Sequence, residues 1–503
     1  MDNKQIKYGA VLNYIAIGLN LIVGLLYTPY MLRMLGQNEY GLYSLVASVI
    51  SYLTLFDLGF GNAIIRYSSK NIAEGNTDKE YRTYGMFIKL YSLIGVVVML
   101  IGVLLFFNVD AVFNQTMNSE ETGKARIMVG FLVFNLALTF PMSVFTAAIT
   151  SHERFVFLKS VSIIRVLLNT LVIIALLHLG YKAVAMVMTQ TFFNVLTPVI
   201  GYIYCKTKLN IKVIFGVIDW KELKEILLYS VWIVLCVVVD KVYLSSGQII
   251  LGIKSGTQQI AIYAIAIQLL LMFVQFSTAI SSLFLPRLTK LAVEKNLNEI
   301  SNIFIKVGNI QFCIVCFILM SFCLLGEQFI SLWAGEDYSS AYYMAVVLLI
   351  PYTIDLIQNI GTTILQARNQ LRFRTTTLLI MSLLCIILEI YTAEKWGGLG
   401  CACSVGFCVI LGHVLILNYY YWKKQSIQIP QFWILIIRKS IPALGITILA
   451  YCFMQYLEIS ICSWGSFIMV ASAFSAIYML TFYLLSLNKQ ERLLIKKTIR
   501  IKK

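Results

Sequence analysis

Residues 34–70 read MLGQNEYGLYSLVASVISYLTLFDLGFGNAIIRYSSK: a polar turn at 36–41, then an apolar run from 42 to 65 that carries one acid, Asp57, and stops at Arg66. Helix of that length, at about 1.5 Å per residue, exceeds the roughly 30 Å hydrocarbon layer of a bilayer. A soluble core has no use for so long an apolar segment, and ten or more similar segments follow it. The chain therefore reads as a polytopic membrane protein.

Composition agrees. Hydrophobic residues make up 59% of the 503 and charged residues 13%, against roughly half and a quarter in soluble domains. The excess is surface that faces lipid. The apolar runs are far longer than the about 9 to 11 residues of a barrel strand, and prolines number only 7, so helices span this membrane and the fold class is all-α integral membrane. A net charge of +16 could serve nucleic acid, but the cations sit in short loops rather than on one face, which excludes that partner. All 11 cysteines fall in or at the ends of apolar runs and read as small buried hydrophobes. Cys313 and Cys316 have CxxC spacing, yet no second Cys or His pair stands near them, so neither a metal nor another cofactor is expected. Three scattered histidines and the lack of GxSxG, HExxH or P-loop motifs argue against an enzyme and against an ATP-driven pump. Lys4 and Lys7 precede a first span too long for a signal peptide, so that span is expected to be retained.

Fourteen segments emerge: 8–30, 42–65, 84–107, 127–149, 157–179, 183–204, 226–251, 260–285, 303–325, 341–365, 375–391, 398–420, 437–456 and 463–487. Even-numbered loops are basic, as at Lys70, Lys79 and Arg82, at Lys206, Lys208 and Lys212, at Arg287, Lys290 and Lys295, and at Arg368, Arg372 and Arg374. Odd-numbered loops carry few cations, and the tail 489–503 is basic again. By the positive-inside rule both termini are cytoplasmic. Setting Tyr43 over Tyr263 places Gly36 on Gly256, Glu39 on Gln259, Gly41 on Ala261 and Leu45 on Ile265. That offset is six segments long, so the chain reads as parallel halves, 1–206 and 207–424, followed by 425–503 with the last two helices. Parallel repeats are a transporter architecture with substrate near mid-membrane.

Ionisable groups inside a span cost about 2.5–3.5 kcal/mol each on insertion scales, so each needs a role. Asp57 shares a helical stripe with Thr54 and Gly61, and Gly59 and Gly61 could let the helix bend. On an unbroken helix Arg66, nine residues on, points away from Asp57 and is either an interfacial anchor or a substrate contact. The seventh segment carries Asp240 and Lys241, with Lys241, Ser245 and Gln248 on one face. Lys241 lies well inside its span, to pair with a carboxylate on another helix or to meet substrate. In the tenth segment Asp355, Gln358, Asn359, Thr362 and Gln366 follow helical spacing and are expected to line a path rather than to glue helices together. The eighth segment adds Gln268, Gln275 and Ser282. Glu389 and His413 are isolated and read as packing or interface residues.

Three runs carry a family likeness: LGQNEYGLYSLVASVISYLTLFDLGFGNAIIR (35–66), DKVYLSSGQIILGIKSGTQQIAIYAIAIQ (240–268) and PYTIDLIQNIGTTILQARNQLRFR (351–374). The chain resembles the polysaccharide transport family of bacterial Wzx-type flippases, in the multidrug/oligosaccharidyl-lipid/polysaccharide superfamily. The resemblance implies two six-helix bundles around a central cavity, with two helices appended. It also implies that undecaprenyl-diphosphate-linked repeat units of O-antigen or capsule cross to the outer leaflet of the bacterial cytoplasmic membrane. Transport would run by alternating access, coupled to a proton or sodium gradient, alongside polysaccharide polymerase machinery. A diphosphate wants cations, which Arg33, Arg66, Lys241 and Arg368 supply, and sugars want the amides of Gln268, Gln275, Gln358 and Asn359. Asp57, Asp240 and Asp355 would repel an anion and suit ion coupling or buried pairing. A drug-cation exporter of the same superfamily would use those acids instead, and a flippase for the peptidoglycan lipid precursor is the nearer alternative.

Overall fold

The computed structural model describes residues 3–113, 115–216, 220–281, 284–294, 296–368, 370–459 and 461–486. Lys295, the tail 489–503 and Ser282 lie outside them. Among the described residues the chain is helical throughout: α1 (Asn3–Leu53), α2 (Phe60–Ala73), α3 (Thr77–Phe113), α4 (Ser119–Ser151), α5 (Phe155–His178), α6 (Ala183–Thr207), α7 (Trp220–Lys254), α8 (Thr257–Ser281), α9 (Leu285–Val293), α10 (Leu297–Trp333), α11 (Ala341–Ile357), α12 (Asn359–Ala367), α13 (Leu371–Val409), α14 (Leu417–Lys423), α15 (Ile429–Tyr456) and α16 (Trp464–Leu485).

Eleven of the described helical stretches are long and apolar enough to cross a membrane, and α11 with α12, bent by 40°, makes a twelfth. Two of these stretches, Val11–Ala73 and Leu371–Lys423, are too long for one crossing. Each is divided by a glycine that other residues could not replace without strain: Gly36 (φ 75°, ψ 170°) in α1 and Gly397 (φ 55°, ψ −136°) in α13. Each therefore holds two crossings, and the fourteen segments read from hydropathy are recovered. This is a multi-pass membrane protein. Its lipid-facing surface shows in exposed side chains such as Leu100, Leu104 and Phe107 on α3 and Ile434, Ile441 and Leu449 on α15.

Two compact units divide the chain, Met1–Ala264 with Ala393–Gly397, and Ile265–Thr392 with Gly398–Lys503. In the first, α3 packs on α4 around an aromatic core in which Tyr91 stacks on Phe140 at 6.1 Å and meets the edge of Phe60 at 5.7 Å. The turn at 36–41 is pinned at several points. Glu39, nearly buried, accepts from Lys124 Nζ at 2.5 Å and from the Ala183 N–H at the start of α6, a carboxylate where the helix dipole favours one. The Thr257 hydroxyl reaches both Asn38 and Glu121, and a Cβ on Gly41 would collide with the Thr257 carbonyl. Gly256, set over Gly36 by the repeat, has the same left-handed sense (φ 85°). In the second unit Phe304 packs edge-on against Phe432 at 5.1 Å, joining α10 to α15.

Candidate functional site

Among the described residues, two spans are broken beside an acid, and a third is distorted by the π-helical stretch Ile410–Ile416. In the first unit the second span turns into a 3₁₀ stretch at Thr54–Asp57, passes through Leu58 (φ 52°) and Gly59 (φ 67°), and restarts as α2. Asp57 is half-buried there, and its Oδ1 accepts from the Tyr91 hydroxyl at 2.6 Å. This break removes the premise on which Arg66 was placed, since no continuous helix joins it to Asp57. Arg66 stands exposed on α2, and Arg33 is exposed on the first limb of α1.

The polar face of α7 meets the second limb of α1. Ser48 donates to Gln248 Oε1, Ser51 to Ser245 Oγ at 3.2 Å, and the Tyr52 hydroxyl to the Lys241 carbonyl at 3.4 Å. Ser245 and Gln248 are buried by these contacts, so they bind helix to helix. Lys241, one turn further along, is half-buried, and its ammonium forms no ion pair among the described residues. Its neighbour Asp240 is exposed. The expected alternative, a carboxylate partner on another helix, is not found among the described residues.

In the second unit the polar stripe of the tenth segment is not one face. α11 ends at Ile357, Gln358 leaves helical geometry (φ −105°, ψ 4°), and α12 departs at 40°. The five residues therefore scatter. Asp355 Oδ1 lies 2.5 Å from His413 Nδ1, Gln358 is buried, Asn359 half-buried, and Gln366 exposed. Thr362 bonds to the Tyr421 hydroxyl. His413 lies in a π-helical stretch, Ile410–Ile416, a form concentrated at functional sites. Far from being isolated, it is the partner of Asp355. Glu389 is wholly buried.

Sequence reading missed what holds this break. The Leu356 carbonyl, at the end of α11, accepts from the Ser277 hydroxyl at 2.7 Å. Gln311, fully buried on α10, donates in turn to Ser277 Oγ at 2.9 Å and Ser281 Oγ at 2.7 Å. The signal was available as Gln311 inside an apolar run, without a polar stripe around it to draw notice. Of the remaining expected residues, Gln268 is half-buried and Gln275 exposed on α8. Arg368 caps the end of α12 and donates to the Gln425 side chain at 2.6 Å.

Residues 6–292, more than half the chain, match the family described as "Polysaccharide biosynthesis protein". The chain belongs to that family. It is 21% identical over 405 residues to a Shigella flexneri protein named as an O-antigen transporter, covering 79% of this chain and 93% of the relative. It is 20% identical over 506 residues to the membrane protein EpsK of Bacillus subtilis (strain 168), covering 97% of each. Among solved structures, the lipid II flippase MurJ in an inward closed conformation superposes with a TM-score of 0.70 at 14% identity, covering 94% of this chain and 98% of that one. An inward-facing multidrug MATE transporter of the MOP superfamily superposes at 0.60 and 12% identity, over 82% and 95%. These structural likenesses show that this polysaccharide biosynthesis family member has the transporter fold of that superfamily.

Proposed function

We propose that this protein flips undecaprenyl-diphosphate-linked polysaccharide repeat units from the cytoplasmic to the outer leaflet of a bacterial cytoplasmic membrane. It works by alternating access, driven by a proton or sodium gradient, with both termini cytoplasmic. Residues 1–206 and 207–424 are its functional halves. The reading is supported by the family and by relatives named as transporters and flippases. The observation that carries it is Lys241, a half-buried cation inside a membrane-spanning helix that makes no salt bridge among the described residues, its exposed chain neighbour Asp240 attracting it from beyond ion-pair distance. A drug-cation exporter has no use for such a charge, whereas a diphosphate needs it. Arg33 and Arg66 add cations, the amides of Gln268, Gln275, Gln358 and Asn359 suit the glycan, and Asp57, Asp240 and Asp355 serve ion coupling or pairing.

The test is surface glycan display in a strain lacking its own transporter, scored beside growth on a cationic dye and beside protein level in the membrane. Lys241→Ala should lower display at least tenfold at unchanged protein level, and Lys241→Arg should keep part of it. Normal display in the Lys241→Ala, Arg66→Ala double variant would refute the cationic site. Dye resistance that depends on Asp57, Asp240 or Asp355 would replace the flippase by a drug exporter.

A further inference from the structure

The second unit holds a partly polar cavity of about 400 Å³ that contains Arg368, one of the four cations expected to meet the diphosphate, and that the proposed function does not use. Arg368, Gln370, Lys424, Gln425 and Ser426 line it together with the apolar side chains of Ala292, Leu297 and Ala367. Its walls are helix ends: Arg368 follows α12, Lys424 follows α14, and Leu297 opens α10. All three junctions belong to even-numbered loops, so the cavity opens at one membrane surface, the one where the basic loops gather.

The guanidinium in this cavity is oriented in advance by neutral groups. Arg368 donates through one terminal nitrogen to Gln425 Oε1 at 2.6 Å and to the Gln425 carbonyl at 3.2 Å. Gln425 is itself buried and locked, its amide nitrogen donating to Gln370 Oε1 at 2.8 Å and to the Tyr420 hydroxyl at 3.1 Å. The other terminal nitrogen of Arg368 is shut off from solvent and has no hydrogen-bond partner among the described residues. Lys424 makes no ion pair either, and no carboxylate lines the cavity, among the described residues. A cation partly withdrawn from water without a counter-charge is unfavourable; Arg368 is half-buried, and with the exposed Lys424 lining the same cavity it makes this a place that favours an anion. Arg with Lys is the pairing that suits a phosphoryl group, which offers several oxygens and close to two negative charges. The volume falls within the roughly 300–1,000 Å³ of small-molecule sites.

We propose that this cavity is a phosphate-binding site at the membrane surface, filled by a phosphomonoester lipid headgroup or by a soluble phosphate. Arg368 and Lys424 hold the phosphoryl oxygens, and Gln425 fixes the guanidinium that receives them. The assignment does not depend on what the protein transports, because binding is read directly.

Full-length protein in phosphatidylcholine nanodiscs is titrated with dihexanoyl phosphatidic acid, with inorganic pyrophosphate, and with dihexanoyl phosphatidylcholine as the neutral control. Saturable binding of the phosphatidic acid or the pyrophosphate is expected, at least tenfold weaker in Arg368→Gln and several-fold weaker in Lys424→Ala. Arg368→Lys should fall between wild type and Arg368→Gln. Binding of the lipid alone identifies a headgroup site, and binding of pyrophosphate alone a soluble-phosphate site. If Arg368→Gln fails to fold once Gln425 loses its partner, Lys424→Ala and Lys424→Glu, at an exposed position, decide the matter unaided. No saturable binding of either phosphate, binding equal to that of phosphatidylcholine, or affinity unchanged in the lysine variants would overturn the site.

Discussion

Two acids stand at two broken helices, and they are held differently. Asp57 sits where the backbone itself makes the break, through consecutive left-handed residues Leu58 and Gly59, and its side chain meets a neutral donor, Tyr91. Asp355 sits beside a break that neighbouring helices make, with Ser277 taking up the Leu356 carbonyl and Gln311 supporting Ser277, and its side chain meets a base, His413. The difference teaches that one outward feature, an acid near a kink in a span, can rest on local backbone chemistry in one unit and on tertiary hydrogen bonds in the other. Stability should therefore respond to different residues in each.

The largest contrast is expected on removing the acids themselves. Asp355→Ala leaves the His413 imidazole, buried on a π-helical stretch, without its acidic partner, and should cost about 3 kcal/mol, the lower end of what breaking a buried pair costs because Asp355 is partly exposed. Asp57→Ala leaves only neutral donors, the Tyr91 hydroxyl and the Gly59 N–H, a loss of about 1–2 kcal/mol. Unfolding of each variant in mixed detergent, followed by circular dichroism, measures both. Equal losses would mean that His413 and Tyr91 hold their acids alike, and the comparison would fail.

How much of this was legible in sequence depends on the range of the interactions. Fourteen crossings follow from the length and hydropathy of each run, which are local, and Gly36 and Gly256 could be aligned because a turn needing a left-handed residue leaves a glycine behind. Asp57, Lys241 and Asp355 stood out because an ionisable residue in an apolar run is visible by itself. Their partners did not. Tyr91 is one of 29 tyrosines, and nothing in its own segment connects it to Asp57 before α3 is laid beside the broken span. His413 lies 58 residues from Asp355, and the expected stripe from Asp355 to Gln366 assumed a continuous helix that Gln358 interrupts. Ser245 and Gln248 were read on the correct face of α7, but only contact with Ser48 and Ser51 shows that this face is buried against α1.

A middle-sized effect separates the two breaks by what supports them. Ser277→Ala removes the donor to Leu356 and one acceptor of Gln311, leaving buried polar groups short of partners, and should cost about 1–2 kcal/mol. Thr54→Val in the other break removes only a bond to the carbonyl of Ser51 three residues back. Such back-bonding contributes little to a helix, so the change should stay within about 0.5 kcal/mol. The same detergent unfolding compares them, and a Thr54→Val loss as large as that of Ser277→Ala would place tertiary support at both breaks.

The smallest effect is the most specific to the first break. Gly59 and Gly61 lie two residues apart, and either could have been the hinge. Only Gly59 holds a left-handed conformation, whereas Gly61 is inside α2 with nothing within 4 Å of where a Cβ would stand. An alanine at Gly59 must adopt a φ that costs an L-residue roughly 1 kcal/mol. At Gly61 alanine meets no neighbour and gains helix propensity of up to about 1 kcal/mol over glycine. The two substitutions should therefore move the unfolding midpoint in opposite directions, although chemically they are the same change. Should Gly61→Ala also destabilise, the second glycine is needed for bending and the break extends into α2. Should Gly59→Ala prove neutral, the left-handed pair does not make the break, and Asp57 would owe its position to Tyr91 instead.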